Sequence, residues 1–201
     1  TSEFNSTRER LPTLVLDAVS CKDEVDPVFL RRYQSLLGGL LYAATNTRPD
    51  IAYSVGLLCR AMSKPTKELF DAVTLRVPCY LHRHKHIGLR YEASNAPISG
   101  MTDSDWAVRH STSGYVFTLA QAAISWSSKR QPTIALSSCE AEIMAASEAA
   151  KEAVFLVRMC SELDFKSNDE PIHLACDNKA AIDSSYNPEN HSRTKHIDRR
   201  H

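Results

Sequence analysis

Three carboxylates stand where a folded chain could bring them to one place: Asp103, Glu142 and Asp177. Asp103 follows a short strand candidate, Glu142 sits in the first turn of a long helix, and Asp177 ends a later strand candidate. In an open sheet with one parallel pair, strand ends and helix starts can meet at one edge. Carboxylates meeting there repel each other unless cations neutralise them. Hard oxygen ligands with open positions suit Mg²⁺ or Mn²⁺. Two such ions can activate a water and stabilise the leaving oxygen of a phosphodiester. Spacing alone leaves a plainer alternative open, because Asp and Glu at element ends also serve as caps or solvated charges.

Other reactive groups carry weaker signals. His82, His84 and His86 alternate in a basic run that could hold zinc or simply be solvated. The same run, with Arg76, Arg83, Lys85 and Arg90, could touch phosphates. His191, Arg193, Lys195 and His196 form a second basic cluster. Trp106 and Trp126 are candidates for stacking on bases, although Trp126 alternates with apolar residues and reads as packing. Cys139 stands at a helix start, where a thiolate is favoured. No Gly-x-Ser-x-Gly elbow is present, which argues against a serine hydrolase.

The elements that must position these groups follow from periodicity. Arg31–Asn46 reads as a helix weakened by Gly38 and Gly39. Pro49 suits the first turn of a second helix running to about Met62. A third begins at Pro65, and Pro78 should break or kink it, at roughly 3 kcal/mol if the helix continued through. Ile98–Thr102, Ser113–Leu119 and Ala123–Ser127 read as an antiparallel meander, with Tyr115, Phe117 and Leu119 on one face and Ile124 with Trp126 on one face. The longest helix opens at Ser137 and runs to about Leu163. Ser137 and Glu140 make a capping box, and Ile143, Ala146, Ala150, Val154 and Val157 form its apolar stripe. Ile172–Cys176 is a further strand, followed by a helix from Lys179 to about Ser185. Three strands, helix, strand, helix is an α/β pattern with a mixed sheet.

Composition narrows the function classes. The chain has 201 residues, with 24 basic and 24 acidic side chains. No overall field draws it to nucleic acid, so any such contact is a local patch. The six cysteines show no paired metal spacing, which predicts reduced thiols in an intracellular protein, cytoplasmic or nuclear and not secreted. The longest apolar run, Ser35–Ala44, is too short to span a bilayer.

Ordered motifs supply a sharper expectation. Tyr33-Gln34-Ser35-Leu36-Leu37-Gly38, Thr47-Arg48-Pro49-Asp50-Ile51-Ala52 and Met62-Ser63-Lys64-Pro65-Thr66 resemble the segment after the reverse-transcriptase core in copia-type LTR retrotransposon Pol polyproteins. Thr102-Asp103-Ser104-Asp105-Trp106-Ala107, Ser113-Gly114-Tyr115-Val116-Phe117, Ile124-Ser125-Trp126, Glu140-Ala141-Glu142, Cys176-Asp177-Asn178 and His191-Ser192-Arg193-Thr194-Lys195-His196 are similar to that family's ribonuclease H domain. The resemblance implies an RNase H-like fold that hydrolyses the RNA strand of an RNA–DNA hybrid with two Mg²⁺ (or Mn²⁺) ions. It implies Asp103, Glu142 and Asp177 as catalytic ligands, with Asp105 in reserve, and the hybrid and the remainder of the Pol polyprotein as partners. Arg193, Lys195 and His196 are the implied nucleic-acid contacts. The implied division is an irregular lead-in over 1–28, a helical remnant over 29–92 and an RNase H-like domain over 93–201. The sequence ends before the family's last strand and the helix that bears a fourth carboxylate, so an inactive relic or a nucleic-acid-binding module is the alternative. The family's Tyr-x-Asp-Asp polymerase motif is absent, and its glycines near 120–122 are here Ala120, Gln121 and Ala122.

Overall fold

The computed structural model describes residues 25–107, 110–164 and 171–186. The chain divides into two compact units, Thr1–Gly88 and Leu89–His201.

The first unit is helical. Helix α1 (Pro27–Asn46) starts at Asp26, whose carboxylate accepts from the backbone of Val28 and Phe29, and it continues unbroken through Gly38 and Gly39. A 3₁₀ turn (Pro49–Ile51) leads into α2 (Ala52–Cys59). Thr66 caps α3 (Lys67–Asp71). Tyr33, Leu37, Leu40 and Ala44, spaced three and four apart on α1, bury against Ile51, Val55, Leu58 and Val73. The Tyr33 hydroxyl donates to the Leu58 carbonyl at 2.8 Å, and burial pushes its pKa well up. Pro78 does not break the chain of helices. A π turn (Ala72–Arg76) precedes α4 (Val77–Arg83), and Val77 N–H reaches back to Ala72. The wider turn takes up the missing donor and the ring–carbonyl clash that a proline would force on a continuous α-helix.

The second unit is a four-stranded mixed sheet with helices. Strands β1 (Ser99–Asp105), β2 (Thr112–Leu119) and β3 (Ala122–Arg130) form the expected antiparallel meander, and β4 (His173–Ala175) pairs parallel to β1, giving the order β3-β2-β1-β4. Helices α5 (Ser138–Glu162) and α6 (Lys179–Tyr186) complete it. A crossover helix between parallel strands is what a mixed sheet of this kind requires. Tyr115 and Phe117 share the face packed on α5, where Phe117, Ala149 and Leu156 are buried together.

Two periodicity readings shift. The buried stripe of α5 is Ala141, Ala145, Ala149, Leu156 and Cys160, whereas Val154 and Val157 are exposed. Small alanines at 141, 145 and 149 let this part of the helix approach the sheet closely, and Leu156 continues the buried face. The register of β2 and β3 slips between Phe117 and Thr118. Ser125 therefore faces α5, where its hydroxyl donates to Glu152 at 2.6 Å. Trp126 pairs with Val116 and takes the other face. The bulge separates Ile124, which packs on the core, from Trp126.

Candidate metal centre

The centre exists because β4 is shorter than β1. Pairing between them stops at Met101 and Ala175, while β1 runs on to Asp105. Past that point no described strand pairs with this edge of β1, and its backbone donors need partners. Glu142 supplies one. Its Oε1 accepts from Ser104 N–H at 3.1 Å and from Ser104 Oγ–H at 2.7 Å. Gln131 fixes the helix start that delivers it, donating from Nε2 to Ser113 Oγ at 2.9 Å and to the Ala141 carbonyl at 2.8 Å.

The chain leaving β4 supplies the other side. The Cys176 thiol donates weakly to Glu142 Oε2 at 3.8 Å. One ligand atom from each of Glu142, Cys176 and Asp177 lies within 4.8 Å of the other two. Glu142 is 5% exposed, and Asp177 is exposed. Burial pushes the Cys176 thiol pKa up against a lowering contact from the Asn178 backbone, and the charges of Glu142 and Asp177 push it further up.

Capping does not account for these carboxylates. Ser137 caps α5, accepting from Glu140 N–H at 3.2 Å. Glu140 reaches one residue past the cap and accepts from Leu136 N–H at 2.7 Å. Asn178 caps α6, accepting from Ala181 N–H at 3.0 Å. Glu142 and Asp177 are thus left over from the work of ending and starting helices. Among the described residues no Lys, Arg or His forms an ion pair with Glu142. A buried carboxylate with no cation is costly unless something else supplies positive charge.

Asp103 is not brought into this group. It lies inside β1 rather than after it, and it is exposed. Successive residues of a strand point to opposite faces, so Ser104, which holds Glu142, turns Asp103 to the other side of the sheet. Asp105 shares that face with Asp103. Ser104 and Cys176 are the site residues that reasoning from carboxylates missed; the signal was their place beside Asp103 and Asp177. His82, His84 and His86 form no group of ligand atoms within that reach of one another among the described residues. The Cys139 thiol is held up rather than down, by burial and then by the charges of Glu142 and Glu140. Arg193, Lys195 and His196 lie outside the described residues.

No family model matches the chain. It is 42% identical over 173 residues to the retrovirus-related Pol polyprotein from transposon TNT 1-94 of Nicotiana tabacum, covering 84% of this chain and 13% of that protein. It is 34% identical over 196 residues to the Pol polyprotein from transposon RE1 of Arabidopsis thaliana, covering 95% of this chain and 13% of that one. The chain belongs to the copia-type retrotransposon Pol family. It spans 13% of the length of each of these two Pol relatives. It is also 44% identical over 129 residues to the secreted RxLR effector protein 161 of Plasmopara viticola, covering 62% of this Pol-family chain and 90% of that protein. A solved foamy viral protease–reverse transcriptase in complex with RNA/DNA hybrid aligns at a TM-score of 0.42 and 14% identity, over 75% of this chain and 25% of that one. Among the described residues of this Pol-family chain, no helix is long and apolar enough to cross a membrane.

Proposed function

We propose that the second unit is a ribonuclease H-type domain that hydrolyses the RNA strand of RNA–DNA hybrids during reverse transcription, using Mg²⁺ or Mn²⁺. The observation that carries this reading is the buried Glu142 carboxylate, oriented by Ser104, with the Asp177 carboxylate beside it and no Lys, Arg or His paired with Glu142 among the described residues. The donor set fits a hard divalent ion, since Mg²⁺ is commonly bound through one or two carboxylates with the remaining positions left to water and phosphate oxygens. Glu142 and Asp177 would hold the ion. Asp103, one residue from Ser104 on the opposite face of β1, would complete the ligand set from there. When bound, two such ions supply an activated water and a counter-charge for the leaving oxygen. The chain's own part is positional: Ser104 keeps Glu142 in place, Gln131 ties α5 to β2, and Asn178 relieves Asp177 of capping.

The test is cleavage of a labelled RNA–DNA hybrid by the purified chain with Mg²⁺. Cleavage is expected, with Glu142→Gln and Asp177→Asn each losing it, and Asp103→Asn losing it if that side chain completes the set. Hybrid binding with steep salt dependence and no cleavage at any Mg²⁺ or Mn²⁺ concentration would overturn the enzyme reading and leave a binding module.

A further inference from the structure

The group that assembles at the open edge of β1 is two carboxylates and a thiol, not three carboxylates. We propose that this site captures a thiophilic divalent ion of the Zn²⁺ or Cd²⁺ class through Cys176 Sγ, Glu142 and Asp177, in competition with Mg²⁺. The proposal rests on the same centre as the function proposed above, but not on cleavage.

Three features of the geometry point this way. First, the three ligand atoms already lie within 4.8 Å of one another. Around one tetrahedral zinc, with Zn–S near 2.3 Å and Zn–O near 2.1 Å, an S···O pair stands roughly 3.6 Å apart. Side-chain movements of about an ångström would close the set. Second, Glu142 is 5% exposed and has no cation partner among the described residues. Among the described residues the donor to its Oε2 is a thiol at 3.8 Å, which is long and weak, so that oxygen keeps most of its capacity to bind a cation. Third, thiolate ligands select soft or borderline ions, while Mg²⁺ prefers oxygen. The same three side chains therefore do not serve both ions equally. Cys176 adds affinity for Zn²⁺ or Cd²⁺ and none for Mg²⁺. On binding, the S–H proton leaves to solvent as the metal–sulfur bond forms, and no electron changes hands. Three protein ligands leave a fourth position for water, as at open zinc sites.

The experiment is titration of the full 201-residue chain with Cd²⁺, followed by the ultraviolet thiolate-to-cadmium absorption band. Cys59, Cys79, Cys139 and Cys160 are also free thiols, so the readout is the difference between variants. Cys176→Ser should lose the tightest equivalent. Glu142→Gln keeps every thiol and should weaken that equivalent by at least about tenfold. Asp177→Asn, at an exposed position, should weaken it too and serves as the second variant should either of the others fail to fold. A tight equivalent that persists in Cys176→Ser, or one unchanged in both Glu142→Gln and Asp177→Asn, overturns the proposal. Hybrid cleavage in Mg²⁺ without the cadmium difference would sink this inference alone. The cadmium difference without cleavage would sink the nuclease reading alone.

Discussion

Neutralising Glu142 should stabilise the metal-free protein while removing a ligand of the proposed metal. One carboxylate oxygen of Glu142 and one of Asp177 lie no more than 4.8 Å apart. At that distance two like charges repel by about 3.5 kcal/mol at an effective dielectric near 20, and by about 1 kcal/mol in water-like surroundings. Asp177 is exposed, so the lower figure is the better guide. Glutamine fits the place. Its Oε1 can still accept from Ser104 N–H and Oγ–H, and its amide can donate where the second carboxylate oxygen stood. In a chelator, Glu142→Gln should therefore gain about 1 kcal/mol, which raises the melting temperature by roughly 4 °C for a unit of this size. Asp177→Asn should gain a similar amount, and the double variant little more than either single one, because either change alone removes the shared repulsion. Added Mg²⁺ should invert the order. An ion at a hundred times its dissociation constant stabilises the wild type by about 2.7 kcal/mol and does nothing for a variant that cannot bind it. The assay is thermal unfolding of the four proteins, with and without Mg²⁺. A Glu142→Gln protein that melts below wild type in chelator would refute the reasoning, since the carboxylate would then be a structural partner and not a strained ligand.

Three further outcomes follow from the coordinates. The hairpin between β2 and β3 turns on Ala120 and Gln121, at φ 51° and 66°, so the pair Ala120→Asn with Gln121→Gly should raise stability by about 1 kcal/mol in a urea melt; no gain would mean the turn is unstrained. At Gly100 an added Cβ falls on the Phe117 ring, 2.7 Å from Cδ1, and 3.0 Å from Leu174 Cδ1, so Gly100→Ala should cost about 1–3 kcal/mol and increase amide exchange in β4. In the first unit Arg48 grips Asp50 through two hydrogen bonds of 2.9 and 2.7 Å. Burial pushes the Asp50 carboxyl up, but the Arg48 hydrogen bond and charge together hold it below its ordinary 3.8. Its folded value is therefore below its unfolded one, so the stabilisation is full above about pH 4 and is lost as pH falls further. Asp50→Asn should flatten that acid limb of the first unit's melting curve.

The order of strands and helices was legible because it depends on alternation, prolines and caps, which are local. Ser137 and Glu140 announced α5, and the helix begins there. What was not legible depends on contact across elements. The face of α5 that packs was misread because hydrophobicity favours Ile143 and Val154, while close approach to a sheet favours Ala141, Ala145 and Ala149. The slip between Phe117 and Thr118 moved Trp126 to the other face, and a bulge leaves no mark in an alternating pattern. Pro78 predicts a break or kink, and the π turn that carries the chain of helices past it has no signal in the periodicity.

The same distinction governs the site. Spacing alone leaves Glu142 and Asp177 readable as caps or solvated charges; the family resemblance singles them out, and the structure brings them together. Which residue of β1 faces them was not legible, because that turns on how far β4 extends. Had β4 paired with β1 through Ser104, the Ser104 N–H would be spent in the ladder and Glu142 would lose its backbone donor, keeping only the hydroxyl of Ser104 and the Cys176 thiol. Because pairing ends at Met101, the strand offers Ser104 to Glu142 on the face toward α5 and carries Asp103 on the other. A centre at a sheet end can be reached from both faces. Packing brings the buried Glu142, the half-buried Cys176 and the exposed Asp177 together, while Asp103 stays on the far face; joining them is the part that the proposed ion would have to do.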